Sequence, residues 1–161
     1  MLVDEGDSAG RSTEVAVQPS LTVFRCANCT NPTPTASPIS RVRSLPPTAQ
    51  WPGLVNDIAV PCVGKLQPEH LLKAFENGAD AVCVLACEDD NCCYIEGSQR
   101  LDRRAEYVRG LLEEVGLGGE RLMVFHLSGS AREDAQPAAL PEQMMIRLRE
   151  LKTSPLRERG E

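Results

Sequence analysis

Four short apolar runs divide the chain, and helical patterns lie between them. Each run has the length and the apolar or β-branched content of a buried strand, and the runs cover residues 21–25, 58–60, 81–86 and 122–127. The third run, Ala81 to Ala86, contains no charged residue, which is typical of a central strand in a parallel sheet covered on both faces. The pattern therefore predicts four strands, with a central place for the third.

Three further segments have apolar residues at the spacing of a helix face. The longest begins at Ser98, a suitable N-cap, and its apolar residues recur at intervals of four, three, four and three up to Gly116. Pro68 and Pro141 stand at the favoured first turn of the other two helices, and Gly78 ends the first of them. This alternation predicts an α/β fold, with an open, mostly parallel four-stranded sheet and flanking helices in a flavodoxin-like three-layer arrangement.

The 161 residues are enough for one domain with its own hydrophobic core. Residues 1–19 are polar and acidic and predict a disordered leader, residues 20–152 hold the domain, and residues 153–161 predict a frayed, charged tail. The irregular stretch from Thr30 to Asn56 carries six prolines, which exclude a long helix there. A stretch of this length favours a functional or docking segment over a passive connection.

Composition and charge exclude several classes of function. The chain has 17 basic and 23 acidic residues and a net charge of −6, which disfavours nucleic-acid binding because that requires a basic surface. No apolar stretch approaches the ~20 residues of a membrane span. The first residues have neither the basic nor the apolar segment of a secretory signal. We therefore expect a cytoplasmic protein whose thiols stay reduced.

The seven cysteines are the candidate chemistry of this chain. An odd number cannot form a complete set of disulfides, and clustered cysteines in a reducing compartment are more often metal ligands or redox thiols. Six of them fall at or just after the ends of predicted strands: Cys26, Cys29, Cys62, Cys87, Cys92 and Cys93. Because the carboxyl ends of parallel strands share one edge of a sheet, we expect these six thiols to gather there.

The spacing of the cysteines favours some kinds of site over others. Structural zinc usually takes two paired cysteine knuckles, whereas only Cys26 and Cys29 form such a pair here, so an iron–sulfur cluster is favoured over zinc. A thiol oxidoreductase that uses Cys26 and Cys29 is a further alternative, although a proline-rich segment follows where a helix should begin. Cys83 lies inside the third apolar run and is expected to be a buried hydrophobic residue. Cys93, next to Cys92, is a lower-ranked candidate ligand.

Three segments around the cysteines carry a recognisable combination of motifs. They read Cys-Ala-Asn-Cys at 26–29, Ala-Val-Pro-Cys-Val-Gly-Lys at 59–65 and Asn-Cys-Cys-Tyr-Ile-Glu-Gly at 91–97. Together with the helical segments between and after them, they resemble the iron–sulfur (delta) subunit family of methyl-viologen-reducing hydrogenases. The resemblance covers about residues 20–135, and Cys93 stands where the family usually has histidine.

The resemblance implies a non-catalytic electron-transfer subunit of a larger oxidoreductase complex, with a [2Fe–2S] cluster as its cofactor. The family's cysteines correspond to Cys26, Cys29, Cys62, Cys87 and Cys92, one more than the four ligands of a two-iron cluster. Its implied partners are a heterodisulfide-reductase-like flavoprotein and a hydrogenase, formate dehydrogenase or benzoyl-CoA reductase complex. Gly64 is expected to let the backbone approach a cluster sulfur. A zinc-stabilised adaptor is the main alternative.

Overall fold

A computed structural model describes residues 19–27, 54–89, 92–127 and 139–157. Within these ranges the strands are β1 (Ser20–Cys26), β2 (Leu54–Val60), β3 (Ala81–Cys87) and β4 (Leu122–Leu127). The helices are α1 (Pro68–Glu76), α2 (Gly97–Glu114) and α3 (Ala139–Glu150). Short 3-10 turns precede α1 at Val63–Lys65 and β4 at Gly119–Arg121.

The strands form an open sheet in the order β2-β1-β3-β4, and every pair is parallel. The predicted α/β, flavodoxin-like class is therefore confirmed. At the carboxyl end of the sheet, Cys26 of β1 lies opposite Val60 of β2, and Cys87 of β3 lies opposite Leu127 of β4. The register thus brings the ends of all four strands to one edge.

Helices cover both faces of the sheet, which gives three layers. One core cluster packs the inner faces of α1 and α2, including Leu71 and Leu101, against Val84 of β3. The other packs Met144 and Leu148 of α3 against the opposite face of the sheet. Residues of β3 alternate between the two clusters and all are buried, as the continuous apolar run predicts.

Two helix starts and one strand start differ from the sequence-based expectation. β2 begins at Leu54, not at residue 58, because an edge strand can keep polar residues such as Asn56 in solvent. α3 begins at Ala139, ahead of Pro141. The N-cap predicted at Ser98 is wrong: α2 begins at Gly97, and the Ser98 hydroxyl donates instead to a backbone carbonyl of β3.

Asp80 anchors the C-terminal part of the described chain at the amino end of the sheet. Its buried carboxylate accepts hydrogen bonds from the N–H groups of Ser20 at 2.8 Å and Ser154 at 2.6 Å, and from the guanidinium of Arg157 at 3.0 Å. Asp80 and Ser20 are also joined through the main chain, because the Asp80 N–H donates to the Ser20 carbonyl at 2.8 Å. Residues that follow α3 therefore pack against the start of β3.

Several sequence-based expectations fall on residues outside the described ranges. These are nearly all of the acidic leader, Cys29 and most of the proline-rich stretch. The domain boundaries at residues 20 and 152 stay predictions. None of the described helices combines the length and the apolar character that a membrane crossing requires.

Candidate metal centre

Four cysteines meet at the carboxyl edge of the sheet. Cys26 is the last residue of β1 and Cys87 the last residue of β3. Cys62 follows β2 and caps the 3-10 turn at Val63–Lys65. Cys92 lies in the loop between β3 and α2. The strand ends thus position three of these thiols, and the loop after β3 supplies the fourth.

Cys26 and Cys87 form one close pair on adjacent strands. The Cys87 thiol is 3.7 Å from the Cys26 sulfur, and both residues are buried. The Cys26 thiol also lies 3.9 Å from the Pro61 carbonyl, which directly precedes Cys62. The positions of this pair are therefore set by the pairing of β1 with β3 in the sheet.

Cys62 and Cys92 form a second pair at the N-terminus of α2. A β-carbon placed on Gly97 would lie 2.8 Å from the Cys62 sulfur and 2.9 Å from the Cys92 sulfur, so both sulfurs adjoin the same point. Cys62 is buried and Cys92 half-buried. In the described parts of the chain, no three histidine, cysteine or carboxylate side chains converge on a single metal-ion position. The sulfurs instead stand as two pairs.

The pKa of the Cys62 thiol depends on its burial and on the groups around it. Burial raises its pKa above the ordinary value, a hydrogen bond from the Gly64 N–H lowers it, and the nearby Cys92 and Cys26 sulfurs raise it again. The Gly64 nitrogen is 3.4 Å from the Cys62 sulfur. Because Cys26 affects the pKa of Cys62, the Cys62–Cys92 pair lies close enough to the Cys26–Cys87 pair for their charges to interact.

Two glycines allow the backbone to approach these sulfurs. Gly64 was expected to do so, and its N–H faces Cys62. Its own close contact is with Gly97, because a β-carbon on Gly64 would lie 2.6 Å from the Gly97 Cα. Sequence reasoning missed Gly97 as a site residue. The available signal was a glycine at the start of a long helix, where it lowers helix propensity unless space is required.

The carbonyl of Cys87 is held by two side chains. The Ser98 hydroxyl donates to it at 2.5 Å, and the His126 Nδ1 lies 3.1 Å from it. The other ring nitrogen of His126 lies 3.0 Å from the Asp102 carboxylate on α2. These contacts tie the end of β3 to both α2 and β4, so the backbone of Cys87 is supported on two sides.

Arg104 of α2 holds the loop that carries Cys62. One guanidinium nitrogen donates to the Gly64 carbonyl at 2.6 Å and to the Leu66 carbonyl at 2.8 Å. The next residue back, Arg103, is exposed and makes no such contact among the described residues. Arg104 therefore fixes the turn in which the Gly64 N–H faces the sulfur.

The remaining cysteines fall elsewhere. Cys83 is buried on the α3 face of the sheet, 3.9 Å from the Met144 sulfur, and burial raises the pKa of its thiol. This agrees with its expected role as a buried hydrophobic residue. Cys93 is exposed, and Cys29 lies outside the described residues.

The four converging side chains suit a thiolate-bound cofactor. They belong to Cys26, Cys62, Cys87 and Cys92, and thiolates are the usual ligands of iron–sulfur clusters and of many zinc sites. Their two-pair arrangement agrees with a cofactor that contains two metal ions more readily than with one tetrahedral ion. The donor set therefore fits the group that the sequence resemblance implies.

Comparisons with known proteins identify the family of this chain. The family described as "methyl-viologen-reducing hydrogenase, delta subunit" matches residues 21–152. The chain is 35% identical over 108 residues to the vhu iron-sulfur subunit of the F420-non-reducing hydrogenase of Methanocaldococcus jannaschii, a match that covers 67% of this chain and 79% of the relative. The corresponding subunit of Methanopyrus kandleri is 38% identical over 103 residues, with 64% and 76% covered.

A relative of another kind contains the matching sequence as a small part of its length. This relative is one subunit of the ferredoxin:CoB-CoM heterodisulfide reductase of Methanosarcina mazei. It is 28% identical over 115 residues, which are 71% of this chain but 14% of that protein. A sequence similar to this chain thus occurs both in separate hydrogenase subunits and inside a reductase subunit. With the family match over residues 21–152, these findings establish that the chain belongs to the delta-subunit family of methyl-viologen-reducing hydrogenases.

Proposed function

We propose that this chain is an electron-transfer subunit that carries a [2Fe–2S] cluster on Cys26, Cys62, Cys87 and Cys92. The observation that supports it most strongly is the convergence of these thiols as two pairs. The first pair has a sulfur separation of 3.7 Å, and the second adjoins Gly97. A two-iron cluster takes four thiolates, two on each iron, so each pair would serve one iron. Cys29, which the family resemblance includes, stays a candidate ligand, and Cys93 stays a candidate of lower rank.

The surrounding residues hold and adjust this site. When bound, the cluster would supply one-electron oxidation and reduction. The Gly64 N–H would withdraw electron density from the Cys62 sulfur, and such hydrogen bonds raise the reduction potential. Ser98 and His126 fix the Cys87 backbone. Three of the thiols are buried, so water would be excluded from most of the site.

The relatives support a pair of partners for the chain. Relatives named as hydrogenase iron-sulfur subunits support a hydrogenase as the electron donor. One heterodisulfide reductase protein contains a matching stretch, and a domain that is covalently joined in one protein commonly binds the same partner when separate. We therefore propose a heterodisulfide-reductase-like flavoprotein as the acceptor. Formate dehydrogenase and benzoyl-CoA reductase complexes are the alternative hosts.

The proposed function also includes the cellular compartment in which the chain works. The chain has seven cysteines, an odd number that cannot form a complete set of disulfides, and clustered thiols of this kind are typical of a reducing compartment. We propose that the chain works in the cytoplasm. An oxidising compartment would threaten the close Cys26–Cys87 pair with disulfide formation.

The test is the metal content of the full chain purified without oxygen. Two irons and two acid-labile sulfides per chain, with a visible band that bleaches on reduction, are the expected result. Cys62→Ser and Cys87→Ser should each lose most of the iron, whereas Cys83→Ala and Cys93→Ser should retain it. Stoichiometric zinc in a colourless sample, with failed iron–sulfide reconstitution, would overturn the proposal in favour of the zinc-stabilised adaptor.

The thiol oxidoreductase predicts a different result. In that case the protein would be free of metal, Cys29→Ser would abolish dithiol–disulfide turnover, and Cys87→Ser would leave turnover unchanged. The proposed ligand set instead predicts iron loss in Cys87→Ser and full iron in Cys29→Ser, and equal iron loss in both variants would add Cys29 to the ligands of a shared cluster. The variants therefore separate all three candidate functions.

A further inference from the structure

Two large apolar side chains project into solvent directly beside the candidate metal centre. Tyr94 is 54% exposed and Ile95 is 79% exposed. They follow Cys92 and Cys93 in the loop that leads into α2. We call this pair the Tyr94–Ile95 knob. Apolar side chains so exposed contribute little to the hydrophobic core.

Ile95 also has an unfavourable backbone conformation. Its φ is +59°, and among the residues that the structure describes it is the one non-glycine residue with a positive φ. A β-branched side chain in the left-handed region clashes with its own backbone, so isoleucine is among the least suited residues for this position. The chain therefore keeps, just before α2, a side chain that the local backbone disfavours.

Hydrogen bonds in the loop hold the knob in place. The Ile95 N–H donates to the Cys92 carbonyl at 3.0 Å, and the Glu96 N–H donates to the Tyr94 carbonyl at 2.6 Å. The Glu96 carboxylate is in turn paired with Arg100 at 2.9 Å. The knob is thus linked by its backbone to a candidate ligand, and the charge that follows it is neutralised.

Other exposed apolar residues lack this combination. Val115 is 68% exposed and Tyr107 is 59% exposed, but both have ordinary backbone conformations and neither lies in a loop with a candidate ligand. Exposure alone therefore needs no explanation at those positions. At Ile95, exposure, strain and a direct link to Cys92 coincide, and strained residues of this kind cluster at functional sites.

We infer that the Tyr94–Ile95 knob is the contact through which the chain docks on the heterodisulfide-reductase-like flavoprotein proposed above, by insertion into an apolar pocket beside that partner's own redox centre. The inference rests on the proposed function. Electron transfer becomes steeply slower with distance, so the docking surface must lie next to the cluster, and the knob is joined to Cys92. Aromatic and aliphatic anchors at the centre of an interface carry most of its binding energy. The exposed Asp89, next to this loop, suits a basic rim on the partner.

The test measures binding of the full, cluster-loaded chain to the heterodisulfide-reductase-like flavoprotein of the same organism, immobilised for interferometry without oxygen. Ile95→Asn and Tyr94→Ser are compared with Val115→Asn and Tyr107→Ser as matched exposed controls. Each knob variant should bind about tenfold more weakly or worse, and each control should stay within about twofold of the unmodified chain. Iron content and the visible spectrum are expected to be the same in all five proteins.

A second measurement tests the strain without any partner. Asparagine adopts the left-handed region readily, so Ile95→Asn should unfold at the same or a higher denaturant concentration than the unmodified chain. A clearly lower midpoint would overturn the argument that Ile95 is kept at the expense of stability. If Ile95→Asn loses its iron, Tyr94→Ser carries the binding test.

The outcomes of the binding test distinguish a failure of the docking inference from a failure of the proposed function. If the unmodified chain carries its cluster but does not bind, the partner proposed above is wrong and the docking inference falls with it. If it binds and the knob variants bind equally well, only the docking inference is wrong. If Ile95→Asn instead abolishes self-association in sedimentation experiments and leaves partner binding intact, the knob serves a second copy of this chain, and the inference is overturned.

Discussion

Gly97 stands against Cys62 so closely that a β-carbon on the glycine would lie 2.8 Å from the Cys62 sulfur. A contact this short cannot be accommodated without moving the sulfur or the helix. The Cys92 sulfur would lie 2.9 Å from the same atom, so one methyl group would disturb two candidate ligands. We therefore predict that Gly97→Ala loses most of its iron and is destabilised by about 1–3 kcal/mol.

Gly110 provides the matched control for this prediction. It lies in the same helix and is exposed, and a β-carbon there would meet nothing within 4 Å. Gly110→Ala should keep its iron and gain up to about 1 kcal/mol, because alanine is the better helix former. Iron analysis and urea unfolding of both variants are the measurements. Full iron content in Gly97→Ala would show that the sulfurs can move aside.

Arg104 should contribute to stability through the loop that it holds. Arg104→Met removes the charge-assisted donor of two carbonyls, those of Gly64 and Leu66, and should cost about 1–3 kcal/mol. The Gly64 N–H would then be less firmly directed at Cys62, so we also expect a lower reduction potential in a redox titration. Arg104→Lys should restore only part of the loss, since an ammonium group is more strongly hydrated and its donors have no fixed direction.

The neighbouring arginine separates a local effect from a loss of positive charge. Arg103 is exposed, and Arg103→Met changes the net charge by the same amount as Arg104→Met. It should alter stability by no more than about 0.5 kcal/mol and leave the potential unchanged. Equal shifts in the two methionine variants would assign the effect to long-range charge.

Asp80 should affect stability but not the candidate metal centre. Asp80→Ala removes the acceptor of the Ser20 and Ser154 N–H groups and the partner of Arg157, which should cost about 3 kcal/mol. The site lies at the opposite end of the sheet, so the iron content of the folded protein should not change. Urea unfolding and iron analysis of the same samples test both statements.

An exposed ion pair provides a comparison for the loss of stability expected in Asp80→Ala. Glu76 pairs with Lys73 at 3.0 Å on the surface of α1, and both side chains are largely exposed. Glu76→Ala should cost about 0.5 kcal/mol or less. A loss in Asp80→Ala no larger than this would mean that the C-terminal residues contribute little to the folded state.

The sequence was sufficient to predict the sheet and the meeting point of the thiols. Short apolar and β-branched runs located the strands, the 3.6-residue period located the helices, and the rule that parallel strands end at one edge brought Cys26, Cys62 and Cys87 together. These inferences succeeded because they depend on backbone topology, which hydrophobic burial determines. The start of β2 was missed because the polar residues of an edge strand hide the strand pattern.

The finer structure of the site could not be predicted in the same way. The contact between Gly97 and two sulfurs, and the reach of Arg104 to two carbonyls, depend on how closely α2 packs on the turn after β2. No periodicity in the sequence reports such distances. Serine is a common helix cap, which led to the N-cap prediction at Ser98. The Ser98 hydroxyl instead donates a hydrogen bond to the Cys87 carbonyl.

Among the cysteines of the described ranges, Cys83 should be the least reactive, and its thiol should make the protein less stable in alkali. Burial raises the pKa of its thiol, so the native state keeps a proton that the unfolded chain releases above about pH 8.5. Stability therefore falls as pH rises beyond that value, by at most about 1.4 kcal/mol per pH unit. Urea unfolding at pH 8 to 10 should show a weaker pH dependence in Cys83→Ala, a variant that is expected to keep its iron. Iodoacetamide should label Cys93 in the folded protein and Cys83 only after unfolding, because Cys93 is exposed and Cys83 is buried. Rapid labelling of Cys83 in the native state would contradict its burial beneath α3.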